Sequence, residues 1–237
     1  MSQLVQEKIG PFDCLVKGDS SCEYTIVLFH GYGADSADLA SLYQIMDHES
    51  VRWIFPNGPL EVPIGPMWMG RAWFEIDVVE LQKAVDEGRY RDMAKTRPVG
   101  YDSALSKAQD FLKELKVPMD KLILGGFSQG AMLTTELVMS LEDNCLGAVL
   151  LSGTLLDQEN WMEQAKNRNG QFFFQSHGSQ DPVLSPELAV GLNEILYASG
   201  WQGQIINFNG GHEIPPMILE RLAIFLRNQT GVPAPKS

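Results

Sequence analysis

The sequence predicts an α/β fold with a mostly parallel central sheet flanked by helices, and three observations carry that prediction. Short, continuous apolar runs rich in β-branched residues recur along the chain, helical patterns lie between them, and no linker-like stretch divides the 237 residues. Such runs suit strands buried on both faces, as in a parallel sheet covered by helices. Strands alternating with helices indicate crossover units.

In chain order, Ile9 to Val16 opens as an edge strand, and Thr25 to Phe29 is a buried strand ended by His30-Gly31. Ser36 to Met46 carries Leu39, Leu42 and Tyr43 at helical spacing behind a Ser or Asp cap. Val51 to Phe55 is the next strand. A long connection then starts at Pro56-Asn-Gly-Pro59 and runs through Pro63, Gly65 and Pro66 to Trp68, Trp73 and Phe74. A charged, helix-compatible stretch, Val78 to Ala94, follows it. Long connections inside compact domains are functional or disordered. Aromatics argue against disorder, which leaves a substrate-covering loop or aromatics that pack the loop onto the domain.

Tyr101 to Leu115 places Ala104, Leu105, Ala108, Phe111, Leu112 and Leu115 on one stripe before Pro118. Strands are expected at Lys121–Leu124, Leu146–Leu151, Gln171–Phe174 and, more weakly, Gln204–Phe208. The helices between and after them are Ala131–Leu141, Glu187–Ala198 and Ile214–Arg227. Residues 1–230 read as a single domain, and 231–237 are expected to form a disordered tail.

Composition narrows the function classes. Hydrophobic residues make up 44% and charged residues 20%, an ordinary globular balance. The net charge of -12 argues against nucleic acid as a partner, because phosphate-backbone binding needs clustered Lys and Arg. Cys14, Cys22 and Cys145 form no CxxC pair and read as thiols in a reducing compartment. No apolar stretch approaches the ~20 residues that span a bilayer, so no membrane span is expected and the expected location is cytoplasmic.

The chemistry is written in four short segments. Gly126-Phe-Ser128-Gln-Gly130 has the GxSxG pattern of a nucleophile elbow. The motif alone is weak, but a strand directly before it and a helix directly after supply the required strand–turn–helix context. The competing reading is a serine that merely caps the helix. A serine hydroxyl needs a base, and the α/β-hydrolase fold orders its triad as Ser, then Asp or Glu, then His. Of four histidines only His177 and His212 follow Ser128. His212 sits past the final strand in a glycine-rich loop and is the candidate base; His177 reads as a loop histidine bonded near the site. Asp181 follows the penultimate strand and is the candidate acid, with Asp157 as its competitor. The backbone N–H groups of Tyr32 and Gln129 are the candidate oxyanion hole, with His30 structural in the same loop. Trp68, Trp73 and Phe74 are candidates for an apolar acyl surface. There is no metal-ligand spacing, Walker motif or GxGxxG, so no metal and no cofactor are expected.

Four segments together resemble the phospholipase/carboxylesterase family of the α/β-hydrolase fold: His30-Gly-Tyr-Gly-Ala34, Gly125-Gly-Phe-Ser-Gln-Gly-Ala131, His177-Gly-Ser-Gln-Asp-Pro-Val183 and Gly210-Gly-His-Glu213. The resemblance runs from about Thr25 to Phe225. It implies Ser128, Asp181 and His212 as triad, the amides of Tyr32 and Gln129 as oxyanion hole, and no large separate cap domain. Arg71-Ala-Trp73-Phe74-Glu75 resembles the family's Trp-Phe-Asp segment beside the acyl groove, with Glu75 where the family has Asp. Tyr32 stands where acyl-protein thioesterases of the family have Leu, which favours a carboxylesterase.

The expected reaction is hydrolysis of carboxylic esters, with thioesters admitted, through an acyl-enzyme on Ser128. An acyl-protein thioesterase or lysophospholipase acting on long-chain substrates would use the same triad. A dienelactone-hydrolase-like enzyme is disfavoured because its nucleophile is cysteine. A non-catalytic binding protein is disfavoured because all three triad positions are filled. The expected partner is a small-molecule or lipid-like ester substrate, and a homodimer is an admissible assembly.

Overall fold

The computed structural model describes residues 3–95 and 97–233. From the N-terminus run β1 (Val5–Ile9), β2 (Phe12–Lys17), β3 (Tyr24–Phe29), β4 (Val51–Pro56), β5 (Leu60–Pro63), β6 (Met69–Ala72), α1 (Val78–Asp86) and α2 (Tyr101–Leu115). Then follow β7 (Leu122–Phe127), α3 (Gln129–Met139), β8 (Gly147–Leu151), α4 (Gln158–Ala165), β9 (Phe173–Gly178), α5 (Pro186–Ala198), β10 (Ile205–Phe208) and α6 (Pro216–Thr230). Eight strands form one sheet in the order β1-β2-β4-β3-β7-β8-β9-β10, and β5 pairs with β6 apart from it. β1–β2 and β2–β4 are antiparallel, whereas the pairs from β4–β3 to β9–β10 are parallel. This is the α/β-hydrolase architecture, mostly parallel and without a large separate cap domain.

The apolar runs work as the sequence suggests, because successive residues of a strand face opposite sides of the sheet. Val27 and Phe29 of β3, with Leu124 of β7, join Phe111 of α2 and Leu133 of α3 in one buried cluster. Ile26 and Leu28 of the same strand, with Ile123, join Leu222 and Leu226 of α6 in a second cluster. Every residue of α3 is buried. That helix therefore has no solvent face, and the turn at its head, which carries Ser128, rests on a fixed support.

Several expected elements differ in the structure, each for a local reason. The stretch from Ile9 to Val16 is not one edge strand: it holds the end of β1, a turn at Gly10, whose φ of 52° is left-handed, and most of β2. Ser36 to Met46 forms only a 3-10 helix over Ala40–Met46. Its expected first turn is held otherwise: the Ser36 N–H donates to Asn57 Oδ1 and the Ala37 N–H to Asp35 Oδ1. The charged stretch is helical only over Val78–Asp86, with Asp77 Oδ1 accepting from the Glu80 N–H at its start. The long connection contains the β5–β6 hairpin, which the sequence reading lacks, as it lacks α4. β9 continues through His177 and Gly178, so His177 lies on the strand rather than past it. At the C-terminus, Val232 is buried in the α6 cluster, so the chain stays packed into the expected tail; residues 234–237 lie outside the described residues. No helix of the described residues is long and apolar enough to cross a membrane.

Candidate active site

β3 and β7 are neighbours in the sheet, with Phe29 opposite Gly126. The chain therefore leaves both strands at the same carboxyl edge, where ligands of open α/β sheets bind. After β7 it turns sharply into α3 at Ser128, whose φ of 54° and ψ of -117° are unfavourable for a residue with a Cβ. The turn is possible because its flanks are bare. A Cβ on Gly130 would come within 2.0 Å of the Phe29 carbonyl oxygen, and one on Gly126 within 2.4 Å of the Gly130 backbone. The Ser128 hydroxyl makes no cap bond to α3, which removes the reading of a simple capping serine.

The hydroxyl instead meets a histidine. His212 Nε2 lies 2.8 Å from Ser128 Oγ, and His212 Nδ1 lies 2.6 Å from Asp181 Oδ2. The Phe127 ring packs against the imidazole at 4.9 Å between centroids. Asp181 is fully buried, and its other oxygen accepts the N–H groups of Val183 at 2.8 Å and Leu184 at 3.0 Å. Burial by itself raises the carboxyl pKa. The hydrogen bond and charge of His212, with those two amides, outweigh it and hold Asp181 below its ordinary value. His177 Nε2 lies 3.1 Å from the Leu184 carbonyl and 3.3 Å from Asp181 Oδ2, and burial pushes its pKa down. It braces the acid loop from below and does not reach Ser128. Asp157, the competing acid, is engaged elsewhere: its carboxylate accepts from Arg97 and from the Asn160 side chain, each at 3.2 Å.

The loop after β3 is equally well braced. His30 Nδ1 donates to the Gly31 carbonyl at 2.7 Å, and its Nε2 accepts the Gly58 N–H at 2.9 Å. These two bonds require the neutral ring with the proton on Nδ1, and burial lowers the His30 pKa in the same sense. The Gly33 N–H donates to the Arg71 carbonyl, and the Arg71 N–H returns to that of Ala34. The β5–β6 hairpin thus clamps the 31–34 loop against the carboxyl edge. Neither the Tyr32 nor the Gln129 amide donates to a backbone acceptor among the turns and loops of the described residues, and both residues line the cavity that contains Ser128.

A model of the family described as Phospholipase/Carboxylesterase matches residues 13–230. The chain belongs to the phospholipase/carboxylesterase family. Among its relatives, acyl-protein thioesterase 1 of Candida albicans is 25% identical over 225 residues, covering 88% of this chain and 93% of that protein. Acyl-protein thioesterase 1 homolog 1 of Dictyostelium discoideum is 26% identical over 85% of this chain and 88% of its own. Among solved structures, esterase PE8 superposes with a TM-score of 0.75 at 25% identity, over 90% of this chain and 96% of that one. A carboxylesterase from Mesorhizobium loti shares the fold, with a TM-score of 0.68 at 19% identity over 95% and 98% of the two chains.

In this member of the phospholipase/carboxylesterase family the cavity at Ser128 measures about 320 Å³. Its apolar wall corrects one sequence expectation. Trp73 and Phe74 are buried in the core beneath the site, and Trp68 is 71% exposed at the hairpin tip. None of the three lines the cavity; Ile76, Leu81, Met93, Met132, Val183 and Leu184 do. Trp73 has a bracing task instead, donating its Nε1–H to the His30 carbonyl at 2.8 Å. The Gln129 side chain completes the brace. Its Oε1 accepts the Trp73 N–H and its Nε2 donates to the Phe74 carbonyl, both at 2.8 Å. The sequence assigns Gln129 only a backbone role, and Arg91 and Met93 on the wall do not stand out in it because their stretch reads only as charged and helix-compatible. Among the described residues no group of three or more His, Cys, Asp or Glu side chains is placed to hold a metal ion.

Proposed function

We propose that this chain is a serine carboxylesterase in which Ser128, His212 and Asp181 act as the triad and the amides of Tyr32 and Gln129 receive the oxyanion. The observation that carries the reading is the continuous relay from Ser128 Oγ through His212 to Asp181, at 2.8 and 2.6 Å. His212 takes the hydroxyl proton as Ser128 attacks the ester carbonyl, and Asp181 stabilises the imidazolium and fixes its tautomer. Charge on the tetrahedral oxygen is received by the Tyr32 amide and by the Gln129 amide at the head of α3, a reading supported by their lack of a backbone acceptor among the turns and loops of the described residues. Collapse expels the alcohol with the proton from His212 and leaves an acyl-enzyme. A water activated by His212 then releases the acid.

The cavity supports small or medium substrates. Its roughly 320 Å³ lies at the lower end of the ~300–1,000 Å³ usual for ligand pockets. A second reading, a thioesterase acting on longer acyl groups, draws on the names of the curated relatives. Rates on 4-nitrophenyl esters and matching thioesters from acetyl to palmitoyl separate the two. The carboxylesterase reading expects kcat/KM to peak below about ten carbons with oxygen esters at least as good as thioesters. A rise towards palmitoyl thioesters would contradict it. We also place the enzyme in the cytoplasm, since Cys14, Cys22 and Cys145 are all unbridged.

A further inference from the structure

The cavity wall contains one feature that ester hydrolysis does not use. Arg91 lines the cavity together with Ser128 and His212, in a wall otherwise dominated by apolar side chains. It is half-buried, and among the described residues no carboxylate, ring or carbonyl partners its guanidinium. Its neighbours on the same segment are saturated. Arg89 pairs with Glu80 at 2.7 Å and Glu87 at 2.6 Å; Arg97 pairs with Glu136 at 3.0 Å, with Asp157 at 3.2 Å and with Asp102. In a chain with 30 acidic residues against 18 Lys and Arg, carboxylates are in surplus, yet this arginine has none.

A guanidinium stays charged, and one that is partly desolvated beside apolar carbon is stabilised by a partner that fits its planar fork. A carboxylate fits it with two parallel bonds. Charge selects a carboxylate over a phosphate monoester. Among the described residues Arg91 is the sole Lys or Arg on the cavity wall, and Asp38 shares that wall. A phosphate monoester carries about -1.5 to -2 charges and would be left partly uncompensated.

We propose that Arg91 is a specificity-determining residue, and that the ester hydrolysed here carries a free carboxylate on a non-reacting part of the molecule, received by Arg91 while Ser128 attacks. This rests on the carboxylesterase reading above. The carboxylate can sit on the acyl side, as in a dicarboxylic half-ester, or on the alcohol side.

Two substrate pairs test it: mono(4-nitrophenyl) glutarate against 4-nitrophenyl hexanoate, and 4-acetoxybutyrate against pentyl acetate. In at least one pair the anionic ester is expected to have a kcat/KM about tenfold or more above its neutral partner. Arg91→Met should reduce that ratio at least tenfold, mainly through KM, and Arg91→Lys should restore part of it. Arg89→Met, which removes the same charge from the same segment, should leave the ratio alone. Equal or lower kcat/KM for the anionic ester in both pairs overturns the proposal, as does a ratio unchanged by Arg91→Met. Fluorophosphonate labelling of Ser128 separates the two levels. Labelling and neutral-ester turnover without charge preference defeat only this inference, whereas no labelling and no turnover defeat the carboxylesterase reading and this inference with it.

Discussion

Asp181 is where the most demands meet on a single side chain. It is buried, yet it orients His212 through one oxygen and closes its own loop through the other. The Asp181→Asn variant keeps the shape but offers His212 an amide, which favours the wrong tautomer. We expect kcat to fall by about 10³–10⁴, with KM little changed. Asp157→Asn alters only side-chain bonds to Arg97 and Asn160, so kcat should stay within about threefold of wild type. The reverse pattern in steady-state kinetics would make Asp157 the acid. Here the sequence was highly legible, because chain order and motif spacing single out Ser128, Asp181 and His212, the three side chains that the structure brings into hydrogen-bond contact. The apolar contacts of the substrate were not legible. Trp73 and Phe74 stand out by composition, but an aromatic side chain serves a core as readily as a cavity, and both are claimed by the core.

At the scale of elements, the long connection from β4 to α2 is the part that sequence patterns described least well. Its hairpin strands are four residues each, too short for a clear alternation. Their position is set by contacts remote in sequence, with the Gln129 side chain holding the backbone of Trp73 and Phe74 on α3. Gln129→Leu keeps the helix and the backbone amide at its head but strands a buried N–H and a buried C=O. Each such loss costs about 1–3 kcal/mol, so urea unfolding should show a destabilisation of about 2–4 kcal/mol. A change under about 0.5 kcal/mol would mean that the connection is held by other contacts. The nucleophile turn makes the complementary case. Gly130→Ala would force a Cβ into the Phe29 carbonyl, and we expect it to remove soluble, folded protein or all Ser128 reactivity.

For the whole molecule, the sheet order brings every candidate to one edge: the 31–34 loop after β3, Ser128 after β7, Asp181 after β9 and His212 after β10. The parallel sheet was readable from its apolar runs. Where it begins and ends was not, because β1, β2 and the β5–β6 hairpin depend on turns and on distant partners rather than on periodicity. Buried ionisable groups also give the fold a pH signature. His30 and His177 have pKa values lowered by burial, so the unfolded chain binds more protons than the native one as pH falls below about 6.5. Their contribution is complete above that value and is lost towards the lowered native values. The Asp181 carboxyl, also lowered, loses its contribution only in the more acidic carboxylate range. Unfolding free energy should therefore drop between pH 7.5 and 5.5, and less steeply in a His30→Asn variant. A flat profile would contradict neutral, buried imidazoles.

The relay through Ser128 is tested most directly by mass spectrometry of the protein treated with a fluorophosphonate. The account predicts one stoichiometric adduct on the peptide carrying Ser128, absent in Ser128→Ala and slowed by at least about 10³ in His212→Gln. An adduct on another residue, or one that persists in Ser128→Ala, would contradict it.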